Sequence, residues 1–277
     1  MNYSINKKSQ YGVTLIELMI SLTISLVLLA GVLQIFISNK QSYNLQQASA
    51  RIQENGRIAL QLLNREIRMA DFWGCVGSAS VIINHLDLSG GYDGPDPDDG
   101  GLDGADGAGS APDTITLQGA FGSGIPVESH SVSAASFKTV TDSGLDDGDI
   151  IIASDCTKAD LLQITNANAS TATVVGNTGA IGGISPGNST KPGLEYENDA
   201  QLYTVKTVTY NIQNDATTNE PGLYQSIDGG TAQMLIEGIE NMQIMYGVDT
   251  TGNTTPNQYM NATAITAANN WDNVISV

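Results

Sequence analysis

The run from Val13 to Ile37, VTLIELMISLTISLVLLAGVLQIFI, is apolar at all but a few of its positions. A bilayer core about 30 Å thick is crossed by about 20 apolar residues in a helix, so this run is long enough to span one. It therefore dictates that the two ends of the chain lie on opposite sides of a membrane. Lys7 and Lys8 precede the run, and positive flanks stay in the cytoplasm, so everything after Lys40 is expected outside it. A cleavable secretory signal closes its apolar core with a small-x-small site. Here the core runs into FISNKQSY, which holds no such site, so the helix is expected to remain in the mature protein. One residue is out of place. Glu17 puts a carboxylate inside the run. Such a group costs about 2.5–3.5 kcal/mol at a bilayer centre and less near the interface, so it ordinarily has a partner and a task.

No proline precedes Pro95, so nothing obliges the helix to stop at the membrane surface. Leu45, Ala48, Ile52, Ala59, Leu63, Ile67 and Ala70 recur at three, four or seven residues, the stripe of an amphipathic helix. A continuous helix from Val13 to Ala70 would be about 87 Å long. Its outer half must pack on something, most simply the chain's own sheet. Gly31 and Gly56 are either local weak points or tolerated helix glycines. Beyond residue 70 the texture changes to β-rich runs at 80–84, 113–118, 149–154, 161–165, 171–175, 200–213, 222–227, 234–248 and 271–277. Val, Ile, Thr and Tyr alternate there and Gly/Asn/Asp clusters separate the runs. The expected fold class is α+β, with a long N-terminal helix, membrane-spanning in its first half, packed on an antiparallel β-sheet head.

The charge is lopsided. Residues 1–70 hold seven of the eleven Lys and Arg and three acids, Glu17, Glu54 and Glu66, leaving 26 of the 29 acids and four bases for the rest. A part so acidic repels phosphate backbones, so no direct nucleic-acid binding is expected of it. Its two cysteines, Cys75 and Cys156, form no C-x-x-C pair, and its two histidines are His85 and His130. That excludes the usual zinc patterns. In an oxidising compartment two distant cysteines either form one disulfide or remain buried thiols.

The stretch Gly12 to Ile20, GVTLIELMI, resembles the leader junction of type IV prepilins and type II secretion pseudopilins. The resemblance implies cleavage between Gly12 and Val13 by a prepilin peptidase, methylation of the new Val13 amine, and a subunit-register role for Glu17, the fifth mature residue. Glu17 would meet the free amine of a neighbouring subunit in the filament's helix bundle. Val13 departs from the family's commonest residue there, phenylalanine. REIRMADFWGC, DCTKADLLQIT, LIEGIENMQIMYGVD and the closing WDNVISV are similar to PilW-type minor pilins, counterparts of the J-type minor pseudopilin. By this resemblance residues 1–12 are a leader and 13–38 the transmembrane half of the helix. Residues 39–70 are its amphipathic half, and 71–277 a periplasmic head. Cys75 would bond Cys156 and pin helix to sheet. The implied role is initiation and assembly of type IV pili, with incorporation at or near the tip and twitching motility as a downstream consequence. The implied partners are other minor pilins, the major pilin, the peptidase and the inner-membrane assembly platform; no cofactor is implied. The implied location is the inner membrane, single-pass, then the pilus. The alternatives are a secretion pseudopilin or a signal-anchored periplasmic calcium- or ligand-binding module. Because the chain stops within an apolar strand where relatives run further, either truncation or an edge strand that needs a neighbour is expected.

The acidic Gly/Asp segment at 89–113 is the most unusual part of the head. Asp96, Asp98 and Asp103 are its calcium candidates, since calcium takes oxygen ligands from flexible acidic loops. Read as an EF-hand from Asp96, the fifth position is Gly100 and the twelfth Gly107, so that pattern fails. A solvated loop or a variable contact surface is the other reading. His85 and His130 have no catalytic companions at readable spacing. Nor does the chain carry G-x-S-x-G, a Walker loop or H-E-x-x-H, so no catalytic residue is assigned. Tyr203, Tyr210, Tyr224, Tyr246, Trp73 and Trp271 are expected in packing.

Overall fold

The computed structural model describes residues 12–277, apart from 91, 93 and 141. The expected leader, except Gly12, lies outside the described residues. Helix α1 runs from Leu15 to Met69, 55 residues, close to the expected span. The chain divides into two compact units, 1–54 and 55–277. In the first unit the apolar side chains stand free: Leu15 is 78% and Val27 72% exposed. The most apolar 18-residue window has a mean hydropathy of 2.4 and no buried residue. Two of its hydroxyls bond within the helix, Ser21 donating to the Glu17 carbonyl at 2.6 Å and Thr23 to that of Ile20 at 2.8 Å. That is what a non-aqueous surrounding requires of them.

The second unit is the head. It holds, in chain order, β1 (Ile82–Asn84), β2 (Leu102–Ala105), β3 (Thr114–Ser131), β4 (Ser136–Thr139), β5 (Ile150–Ser154), β6 (Ala159–Gln163), β7 (Asn166–Asn168), β8 (Thr173–Val175), β9 (Gln201–Asn214), β10 (Pro221–Ile227), β11 (Gln233–Glu237), β12 (Tyr246–Val248), β13 (Gln258–Met260), α2 (Ala262–Ala268) and β14 (Val274–Ser276). Two long strands organise it. β3 and β9 pair antiparallel from Ile115↔Tyr210 to Pro126↔Gln201. The far edge of β9 carries β5 and β10 in tandem; the far edge of β3 carries β2 and β4 in tandem. β6 and β1 extend the sheet beyond β5, β11 beyond β10, and β8 and β7 beyond β4. The sheet is antiparallel except for the β1–β6 pair. β13, β12 and β14 form a second, three-stranded antiparallel sheet.

Several elements depart from the sequence reading. The expected strand at 113–118 runs on to Ser131, because an irregularity between Phe121 and Ile125 lets the ladder absorb Gly122, Ser123 and Gly124. The expected run at 234–248 is two strands, β11 and β12, in different sheets. The segment 89–113 is not a bare loop: it contains β2, which pairs with β3, and a 3-10 turn at Pro97–Asp99. The closing run begins with a 3-10 turn at Trp271–Asn273 before β14.

From the expected stripe, Ala59, Leu63, Ile67 and Ala70 join the largest core cluster with Ile115, Leu117, Val208, Tyr210 and Tyr246. Leu45 and Ile52 do not: they are 72% and 65% exposed. α1 leaves its last turn through a narrow gate. Asp71, with φ 62°, donates its N–H to Gln118, and Phe72 accepts from Ala120, so the two residues line the β3 edge between β2 and β4. Gly101 and Gly119 form the gate. A Cβ on Gly101 would lie 2.0 Å from the Asp71 nitrogen, and one on Gly119 3.0 Å from the Phe72 oxygen. Just beyond, Trp73 is buried and its indole donates to Asp71. Cys75 is bonded to Cys156, 81 residues away, with Cα atoms 4.5 Å apart. Closing a loop of that size removes about 4 kcal/mol of unfolded-chain entropy.

This geometry yields a paired prediction. Gly101→Ala forces a side chain onto backbone and should lower head stability by about 1–3 kcal/mol. Gly77→Ala, where nothing lies within 4 Å, should change it by less than about 0.5 kcal/mol. Urea melts of the detergent-solubilised chain, followed by near-UV circular dichroism, discriminate the two.

Candidate functional site

The polar end of the apolar helix is built from two side chains. Gly12 and Val13 precede the helix in irregular backbone, Thr14 stands at its N-cap, and Glu17 is its third residue. The Glu17 carboxylate reaches back. Its Oε2 accepts the Thr14 N–H at 3.0 Å and the Thr14 hydroxyl at 3.0 Å, while Thr14 Oγ1 accepts the Glu17 N–H at 3.3 Å. This is a reciprocal capping box, which satisfies helix N–H groups that would otherwise be orphaned. An acid in this run was expected to need a partner outside its own chain. Locally it already has one, and Thr14 was missed. The T-x-x-E spacing ahead of an apolar run was the signal that would have found it.

In the head, aspartates do structural work that the composition hides. α2 has Asn261 as its N-cap, whose side chain accepts from the Ala264 N–H, and Asp106 adds to it across 156 residues of sequence by accepting the N–H groups of Ala262 and Thr263 at 3.0 and 2.9 Å. Asp113 is buried and accepts from Gly107 at 2.9 Å and Ile244 at 2.7 Å. Asp249 takes N–H groups from Thr251, Gly252 and Thr254. Burial pushes the Asp106 carboxyl up, but the bonds from Thr263 and Ala262 outweigh it and hold it below the ordinary carboxylate range. The N–H groups of Thr218, then Thr217, hold Asp215 low as well. Of the calcium candidates, Asp96 accepts from the Asp98 N–H at 3.1 Å and Asp103 from the Gly104 N–H at 2.7 Å. Among the described residues no three His, Cys, Asp or Glu side chains gather as a metal site. The acidic segment instead forms one wall of an open groove of about 840 Å³, faced by Thr266, Trp271 and Asp272.

Both histidines are packed. His85 is buried, with Nε2 2.7 Å from Asp160 Oδ1 and Nδ1 2.7 Å from the Thr190 hydroxyl. Together with Gln163, which exchanges bonds with Asn188, this contact ties the Gly-rich 176–189 segment to β6. His130 stacks on Phe137 with centroids 4.2 Å apart, and Tyr196 meets it edge-on. Burial there pushes the imidazole pKa down. Tyr210 and Tyr246 are fully buried, Tyr224 is nearly so, and Tyr203 meets Phe72 edge-on.

Two family models match the chain. The prokaryotic N-terminal methylation motif matches residues 7–33, which include Gly12, Val13, Thr14 and Glu17. No curated protein and no solved structure matches. An apolar helix of this kind, opening on that motif and leading to a mostly antiparallel head, fits a prepilin, and the motif and helix support membrane anchoring with pilus association. The model for type IV pilus-assembly protein W matches residues 209–277, from the middle of β9 through β14. Together the two matches support a type IV minor prepilin of the PilW type. Proteins of this class are structural, and their assembly engages other pilins and the membrane machinery that builds the pilus.

The carboxylate caps carry a pH-dependent prediction. At pH 7, Asp106→Ala should lower head stability by about 1 kcal/mol, the worth of a carboxylate bonded at a helix N-terminus. A group held below its unfolded value contributes stability above that value, ~3.9 for Asp, and loses it as pH falls through the folded one. The gap between Asp106→Ala and the unsubstituted chain should therefore narrow in urea melts between pH 5 and pH 2.

Proposed function

We propose that the chain is a minor pilin that takes part in initiating type IV pili and is incorporated at or near the filament tip. A prepilin peptidase removes residues 1–12 on the cytoplasmic side, and the amine of Val13 is methylated. The helix from Val13 then anchors the protein in the inner membrane as a single pass, with the head in the periplasm, until it joins other minor pilins and the major pilin on the assembly platform. One observation carries this reading: a methylation motif and a PilW match occupy the two ends of one chain, with a span-length helix directly behind the motif. The PilW match favours a pilus over a secretion system.

Glu17 is the register residue in this reading. In a bundle of apolar helices an ammonium and a carboxylate each need the other, because a lone charge in such surroundings is costly. The methylated amine of Val13 on one subunit meets Glu17 of a neighbour and sets the axial offset between them. The acid is four residues from that amine in its own chain, close to the same membrane surface, so both members of the pair lie at similar depth.

Two measurements test this. The intact mass and N-terminal sequence of the protein, extracted from the membrane of a host with active prepilin peptidase, should begin at Val13 and carry one extra methyl group. An unmodified Met1 would overturn the reading. Glu17→Val should still insert and lose its leader but be absent from sheared, purified pili; recovery there at the unsubstituted level removes the register role.

A further inference from the structure

The capping box governs how Glu17 is presented to a neighbouring subunit, given the register role proposed for that residue. Both Thr14 bonds fall on one carboxylate oxygen, Oε2. Among the described residues Oε1 accepts no hydrogen bond. Every atom of the box, Thr14 N and Oγ1 and Glu17 N and Oε2, lies on the C-terminal side of the proposed cut between Gly12 and Val13, so cleavage leaves it intact. A glutamate side chain otherwise samples several rotamers. Here it is folded back along the helix toward its N-terminal end, the end at which a liberated amine appears.

We propose that Thr14 is the positioning residue of the register site: its hydroxyl and N–H hold one oxygen of Glu17, which leaves the other aimed and unpaired for the ammonium of a neighbouring subunit. The carboxylate then enters the membrane with its hydrogen-bonding capacity half satisfied by its own chain. It does not have to wait for a partner to be tolerated there. On assembly the ammonium adds to the box without displacing it, and the rotamer entropy that a free carboxylate would lose on pairing has already been lost to the helix cap. Thr14 acts through Glu17 and touches no substrate.

The experiment compares Thr14→Val, which has the same shape and no hydroxyl, Thr14→Ala, Thr14→Ser and Glu17→Val in the full-length chain. Each is expressed in a pilus-forming host that lacks the native copy. Incorporation into sheared pili is scored per processed chain, with processing read by intact mass, so that any effect on leader removal is not counted. Thr14→Val and Thr14→Ala should reduce incorporation about five-fold, the factor that the loss of one cap represents. Thr14→Ser, which restores the hydroxyl, should recover it to within about two-fold, a rescue that lost side-chain bulk would not produce. If Glu17→Val is excluded from pili while Thr14→Val and Thr14→Ala enter as well as the unsubstituted chain, Thr14 positions nothing and the proposal is overturned with the register reading intact. If Glu17→Val also enters normally, both fall. Equal losses for Ser, Ala and Val overturn the positioning role as well.

Discussion

The pairing of β3 with β9 is the interaction on which the head depends. Each strand is long enough to offer its far edge twice, so four shorter strands find their places from this one ladder. The arrangement also places the helix. The gap left between β2 and β4 on the β3 edge is filled by Asp71 and Phe72, and only glycine at positions 101 and 119 leaves room for backbone to pass there. Sheet order, helix exit and disulfide therefore form one connected constraint. Shifting β2 along β3 would close the gate through which α1 enters the core.

The head's charge has a physical account in its hydrogen bonds. Most of its acids are aspartates, and a short carboxylate reaches backbone N–H groups a few residues away. Asp215, Asp155, Asp249 and Asp87 each close such a turn. Asp106, Asp113, Asp147 and Asp228 do the same over longer separations. In a fold with so many connections between short elements, these bonds replace the ladder that loops lack. The net negative charge is thus largely a by-product of turn chemistry, and it disfavours nucleic acid as a partner without itself specifying a cation.

The parts of the fold legible in the sequence were local. The apolar run and the β-rich runs at 200–213 and 222–227 declare themselves within a dozen residues, and the structure holds α1, β9 and β10 there. β2 was hidden because its residues, LDGA, carry strand-poor Gly and Asp and become a strand only by resting on β3. The second half of β3 was hidden by Gly122, Gly124 and Pro126, which read as a loop; the ladder skips 122–124 and resumes at Ile125 and Pro126. α2 has seven residues, too few for periodicity, and a local N-cap, Asn261; the carboxylate that takes its first two N–H groups, Asp106, is 156 residues away. His85 likewise finds Asp160 only through the parallel β1–β6 pairing, 75 residues apart. Thr14 was different. Its signature was in plain view, and the missing step was to ask where the carboxylate's hydrogen bonds go.

That question changes what an acid in a membrane helix implies. Its presence is usually taken to demand a partner, because an unsatisfied carboxylate in lipid is costly. Here the chain meets part of that demand itself, with a hydroxyl and an N–H from the residue at the N-cap. Those two bonds lower the cost of placing Glu17 in a bilayer. In the register role proposed for Glu17, the driving force left for a neighbour's ammonium would be smaller and more directional, since one oxygen is held and the other is not. A contact of that kind discriminates between axial offsets more than it adds to affinity. That is the property the proposed register role requires, since apolar helices alone would allow many registers.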